Sequence, residues 1–154
     1  MRRRGFNLVE VIIAMIFFAL VLVGFLSVAS TANRQSMDTY YEFAAMQAAL
    51  EPLEIFRAAG FDLVANYAAH PLAEFPPGWN DLRDEPNSAI RHPLEWQMFR
   101  REITVDPPQS LPGGNGRRAV RIRIRVEPKQ ASRAAAWLSR GGVAVEGLIV
   151  ELPK

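Results

Sequence analysis

Glu10 is the side chain whose position most needs a chemical explanation. It stands at the head of an apolar run, and the segment from Val11 to Ala32 contains no charged residue. A carboxylate inside a membrane costs on the order of 2–3 kcal/mol or more, so its presence there suggests a functional role. In a low-dielectric environment an unpaired charge is far costlier than a paired one. Glu10 is therefore a candidate for pairing with a cation.

A second candidate is a group of arginines near the C-terminus. Arg121, Arg123 and Arg125 alternate with apolar residues, so in a strand they would share one face. Such a basic stripe could bind DNA or an acidic partner. It could equally be a solvated face whose arginines pair with carboxylates such as Glu102 or Glu146. No exposed aromatic residues are expected among the arginines, which favours the second interpretation and argues against a nucleic-acid partner.

No constellation typical of an enzyme is visible. The two histidines, His70 and His92, both precede prolines and belong to no catalytic or metal-binding motif. The chain has no cysteine, which excludes disulfides, thiolate metal sites and a cysteine nucleophile. We therefore expect no catalytic residues, no cofactor and no metal.

One acidic stretch offers oxygen ligands that calcium could use, although their spacing fits no EF-hand and a solvated loop is favoured. Its residues are Asn80, Asp81, Asp84, Glu85 and Asn87.

The basic character of the chain is concentrated at its N-terminus. Its 154 residues include 18 basic and 16 acidic ones, which gives a formal charge of +2. Without Arg2, Arg3 and Arg4, 15 basic residues face 16 acidic ones, and the balance becomes −1. The net charge is thus poor support for nucleic-acid binding. The length fits one compact domain plus an anchor.

The apolar run has the dimensions of a membrane span. As a helix, residues 11–32 would reach about 33 Å, which matches the hydrocarbon core of a bilayer. The arginines before it would stay in the cytoplasm, which places the rest of the chain across the membrane. A secretory signal peptide cut near residues 28–32 and a plain single-pass anchor are alternatives. The run is long for a signal peptide, and neither alternative explains Glu10.

The segment Arg4-Gly5-Phe6-Asn7-Leu8-Val9-Glu10 resembles the recognition site of the prepilin peptidase in type IV pilins and type II secretion pseudopilins. The resemblance implies cleavage between Gly5 and Phe6, N-methylation of Phe6, and a leader formed by residues 1–5. It also implies that Glu10 pairs with the terminal amine of a neighbouring subunit during assembly. Glycine suits a cut site because the protease can approach its backbone closely.

This resemblance implies a structural subunit of a type IV pilus or a type II secretion pseudopilus. Its partners would be the inner membrane, the prepilin peptidase and other pilin-like subunits. Residues 6–32 would form the membrane-embedded half of the helix, and residues 33–154 would lie in the periplasm. The alternative is a minor pilin that binds DNA or a secreted substrate through its C-terminal sheet. The residues do not distinguish among secretion, twitching and competence machines.

The region after the membrane is similar to that of V-type minor pilins and I-type minor pseudopilins. The similarity comprises residues 48–57 and the Phe61-Asp62 pair that follows them. The absence of a cysteine pair and the serine at position 27 also favour a minor subunit over a major one. We expect a helix to about residue 60, with Pro52 producing a kink rather than a stop and Gly60 capping the end.

The remainder of the chain predicts a loop and a sheet. Residues 61–97 are rich in proline and polar residues and are expected to be irregular. Strands are expected at Met98–Val105, Ala119–Val126 and Val143–Leu152, with one short helix possible within residues 131–140. The predicted fold class is α+β: the long helix packs on an antiparallel sheet of three to four strands spanning residues 98–152. This order agrees with the pilin fold.

Overall fold

A computed structural model describes residues 7–83, 92–113, 116–130 and 141–152, together with Ser132, Ala134, Ala135 and Leu138. The leader, with its predicted cleavage site at Gly5 and Phe6, lies outside the described residues. The chain divides into two compact units between Met37 and Asp38.

The first unit is the start of a single long helix. Helix α1 spans Leu8–Ala59. Asn7 caps it, because the amides of Glu10 and Val11 reach the Asn7 carbonyl and the Val9 amide lies 3.4 Å from Asn7 Oδ1. Every described side chain from Asn7 to Ser36 is exposed. This part of α1 has no apolar partner within the first unit.

In the second unit one face of α1 is buried. The buried residues follow a strict helical spacing and include four alanines: Tyr41, Ala44, Ala45, Ala48, Ala49, Pro52, Leu53 and Phe56. Small alanine side chains let a neighbouring element approach the helix backbone closely. The predicted continuation of the helix to about residue 60 is therefore present, and this part of it has one buried face.

The end of α1 agrees with the sequence. The helix continues through Pro52 rather than stopping there, and Ala59 is its last residue. Gly60 follows with φ at +84°, a conformation that favours glycine. A short helix, α2 (Phe61–Ala65), comes next.

The sheet is antiparallel and has five described strands: β1 Gly78–Asp81, β2 Phe99–Val105, β3 Gln109–Ser110, β4 Arg118–Pro128 and β5 Val143–Val150. The order β1-β2-β4-β3 forms one path, and β5 pairs with β4 as well. The α+β class, the element order and three of the strands are as predicted.

The predicted count of three to four strands, confined to residues 98–152, is too low. Strand β1 and α2 lie inside the segment 61–97 that was expected to be irregular, and a 3-10 helix, Leu94–Met98, begins there. The sequence Gly-Trp-Asn-Asp has poor strand propensity. Pairing with β2 imposes the strand, and the Asn80 amide supports the preceding turn by donating to the carbonyls of Pro76 and Gly78 at 3.1 Å.

The core lies between α1 and the inner face of the sheet. Val120, Ile122, Ile124 and Val126 on β4 are fully buried, as their alternation with arginines predicted. The contact is close: a Cβ atom at Gly147 on β5 would lie 2.4 Å from Cδ1 of Leu53 on α1.

The connection from α2 to the sheet is held by buried aromatic residues. Phe56, Tyr67 and Phe75 pack together, with ring centres of Phe56 and Tyr67 5.1 Å apart. The Tyr67 hydroxyl donates to the Phe75 carbonyl, and burial raises the pKa of Tyr67 to about 12.

The connection between β4 and β5 is described in part. Ala134 and Ala135 are helical, which agrees with a short helix in residues 131–140, and Ala134 and Leu138 are buried.

Candidate functional site

The first candidate site is the exposed apolar part of α1. Its large apolar side chains from Leu8 to Val28 are each between 41% and 74% exposed. The most apolar 18-residue window of α1 has a mean hydropathy of 3.0, and none of it is buried. A contiguous apolar surface of this size is not stable in water, so lipid or other protein must cover it. By length and composition, α1 is a candidate membrane span.

Glu10 lies in the first turn of this segment. A carboxylate there is favoured by the partial positive charge of the helix N-terminus. Glu10 is exposed, and no ion pair joins it to another side chain in the described part of the chain. The carboxylate is thus accessible to a group that is not among the described residues. Since Gly5 and Phe6 are outside the described residues, their relation to Glu10 stays a prediction.

The second candidate site is the outer face of the sheet, on which Arg121, Arg123 and Arg125 lie exposed, as predicted. Arg123 Nε donates to Glu146 Oε1 at 2.8 Å. Arg125 Nη2 lies 2.5 Å from Glu127 Oε1. The hydrogen bond and charge of Arg123 lower the pKa of the Glu146 carboxyl, with a smaller contribution from Arg121. Arg123 and Arg125 are thus each paired with a carboxylate, and the charge of Arg121 also acts on Glu146.

This pairing extends to the neighbouring strand. Arg100 on β2 donates to Glu127 Oε2 at 2.9 Å, so Glu127 is shared between Arg100 and Arg125. Nucleic-acid binding is driven mainly by cations that neutralise phosphates and release counterions. Arginines already paired with carboxylates contribute little to that driving force.

Trp79 departs from the sequence-based expectation. No exposed aromatic residue was expected among the arginines, but Trp79 is 40% exposed at the edge strand β1. The Arg100 guanidinium carbon lies 4.5 Å from the ring centre, and that of Arg125 lies 5.9 Å away. An aromatic residue therefore does accompany the arginines on this face. The pairing of tryptophan with arginine is visible only once β1 is placed beside β2.

The possible calcium ligands are in part committed to other contacts. The Asn80 amide supports its own turn, and the Asp81 carboxylate pairs with Lys129 at 3.2 Å. Asp84, Glu85 and Asn87 lie outside the described residues. No group of three or more His, Cys, Asp or Glu side chains that could hold a metal ion occurs within the described ranges.

A buried charged cluster was not predicted. Arg101 on β2 is only 5% exposed and faces α1, where its Nη1 lies 3.0 Å from Glu51 Oε2. The Nδ1 atom of His92 lies 3.7 Å from the other Glu51 oxygen, and the His92 ring stacks on Trp96. The alternation Phe99, Arg101, Ile103 carries the signal that would have revealed it, because those three residues share the inner face of β2.

No protein-family model, curated protein or solved structure matches this chain. The resemblance to the prepilin peptidase site therefore stays a sequence-based prediction.

Proposed function

We propose that this chain is a minor structural subunit of a type IV pilus or a type II secretion pseudopilus. The observation that carries the proposal is the exposed, charge-free half of α1 with Glu10 in its first turn. The same helix continues without a break into the folded domain. A membrane anchor and a filament-packing element would then be one continuous structure.

In this proposal the precursor inserts in the inner membrane as a single-pass protein, with its leader in the cytoplasm and its domain in the periplasm. The prepilin peptidase cuts after Gly5 and methylates Phe6. When the subunit leaves the membrane and enters a filament, helices of neighbouring subunits replace lipid around the exposed apolar side chains of α1. Glu10 then pairs with the terminal amine of an adjacent subunit, which fixes the axial register because a mismatched register leaves both charges unpaired.

The outer face of the sheet supports this structural role more than the alternative role in binding DNA or a secreted substrate. Arg123 and Arg125 both have carboxylate partners within the same sheet. A face of balanced charges keeps the domain soluble without a strong field that would attract nucleic acid.

The role of Glu10 is tested by incorporation into filaments. We expect Glu10→Ala and Glu10→Gln to insert in the membrane and to lose their leader, but to be depleted about tenfold or more from sheared filaments or subunit complexes, since they leave a neighbouring amine unpaired. Glu42→Gln is the matched control, because Glu42 is also an exposed carboxylate of α1 but lies in the second unit. Normal incorporation of both Glu10 variants would refute the pairing role.

A further inference from the structure

Pro52 lies within α1, on the face that is buried against the sheet. Proline has no amide hydrogen, so it cannot donate the helix hydrogen bond that the carbonyl of Ala48 would accept. Ala48 is fully buried, which keeps water from replacing the missing donor. A buried carbonyl without a donor costs free energy comparable to that of a lost hydrogen bond. The turn at residues 48–52 therefore needs a donor from elsewhere.

The sheet supplies that donor. Arg101 projects from the inner face of β2, and its Nη1 donates to the carbonyl oxygen of Ala48 at 3.0 Å. The same nitrogen donates to Oε2 of Glu51, also at 3.0 Å. Both acceptors belong to the helical turn immediately before Pro52. One guanidinium group thus binds the backbone that proline leaves unsatisfied and the side chain next to it.

The burial of Arg101 is compensated on several sides. Desolvation lowers the pKa of its guanidinium, and the hydrogen bond and charge of Glu51 act against that shift. The ring of Phe75 lies 5.0 Å from the guanidinium carbon, a distance at which the ring attracts a cation. A guanidinium stays protonated in proteins, so Arg101 is a permanent donor. Few other side chains could serve two acceptors in this position.

We propose that Arg101 and Glu51 form a latch that substitutes for the helix hydrogen bond removed by Pro52. The latch keeps α1 helical through residues 48–52 while the helix lies on β2. Without Arg101 the turn has a buried, unsatisfied carbonyl and is the place where α1 opens. Arg101 is a positioning residue, and the continuity of the helix depends on the sheet at this one point. This inference stands independently of the proposed function.

A double-mutant cycle between Arg101 and Pro52 tests the latch. The full-length chain in detergent is unfolded with urea, and the tryptophan fluorescence is followed. In Pro52→Ala, the new amide at residue 52 can bond to Ala48. We therefore expect Arg101→Met to raise the unfolding constant about tenfold more in the parent chain than in the Pro52→Ala background. The unpaired Glu51 charge is present in both backgrounds and cancels from the comparison.

The control is the same cycle with Arg118→Met. Arg118 pairs with Glu151 at 3.0 Å on an exposed surface, and its effect should add to that of Pro52→Ala without coupling. If Arg101→Met does not fold, the latch predicts that the double variant with Pro52→Ala does, and Arg101→Lys can be used to repeat the cycle. Equal effects of Arg101→Met in both backgrounds, or failure of the single and the double variant alike, would overturn the proposal.

Discussion

Glu10 and Arg101 are both charged residues of α1 or of the sheet that packs on it, but they differ in where their partners lie. Arg101 has its partners inside the chain, at the carbonyl of Ala48 and the carboxylate of Glu51. Glu10 has no ion-pair partner among the described residues. When a buried charge is paired within one chain, the fold depends on both partners, because the loss of either leaves the other charge unpaired. A charge whose partner belongs to a second chain is paired only after assembly, which is the role proposed for Glu10.

At the residue scale, the arginines of β4 can be tested directly. We expect the triple variant Arg121→Gln, Arg123→Gln, Arg125→Gln to fold and to assemble like the parent chain. Exposed ion pairs contribute about 0–1 kcal/mol each, so the loss of stability should be small. Assembly is measured in sheared filaments, and binding is measured with labelled DNA at two salt concentrations.

The alternative role would give a different pattern. If the parent chain bound DNA in a salt-dependent manner and the triple variant did not, the sheet would be a binding surface. Arg117→Gln is a suitable control, because Arg117 is an exposed arginine just outside the alternating stripe.

At the element scale, the contact between α1 and β5 depends on small residues. A side chain at Gly147 would require Leu53 to shift, because a Cβ atom there would lie 2.4 Å from Cδ1 of Leu53. Leu53 is itself 2% exposed and has little space into which to move. The alanines of α1 and this glycine together allow the helix to lie close to the sheet.

Replacing that glycine tests the contact. We expect Gly147→Ala to lower the free energy of unfolding by about 1–3 kcal/mol, because it overpacks the interface between helix and sheet. Urea unfolding measures the change. Combining it with Leu53→Ala should cost less than the sum of the two single variants, since the second change removes the group that clashes. Strict additivity would show that the two side chains do not compete for the same space.

At the scale of the whole molecule, the sequence predicts the elements whose periodicity is strong. The charge-free run indicates a helix by its length and composition, and the strict alternation in β4 indicates the central strand by its period of two. Strand β1 escaped prediction because Gly78 and Asn80 disfavour strands, and only pairing with β2 holds them extended. The contact of Arg101 with the turn before Pro52 could not be predicted from the sequence, because the two residues are 49 positions apart and no local pattern relates them.

Part of the candidate site can likewise be predicted from the sequence, and part of it requires the structure. Glu10 can be recognised in the sequence because a lone carboxylate at the head of an apolar helix is unusual by itself. The ion pairs of the sheet depend on register, which places Arg123 opposite Glu146 and Arg125 opposite Ala144. Register follows from the fold as a whole, so the neutral character of that face required the structure.

The most direct test of the central claim is the intact mass and N-terminal sequence of the protein purified from membranes that contain a prepilin peptidase. The pilin-like account predicts a chain that begins at Phe6 and carries one added methyl group. The variant Gly5→Leu, which adds bulk at the cut site, should keep residues 1–5 and remain unmethylated. A parent chain that begins at Met1, or one cut near residues 28–32, would contradict the account.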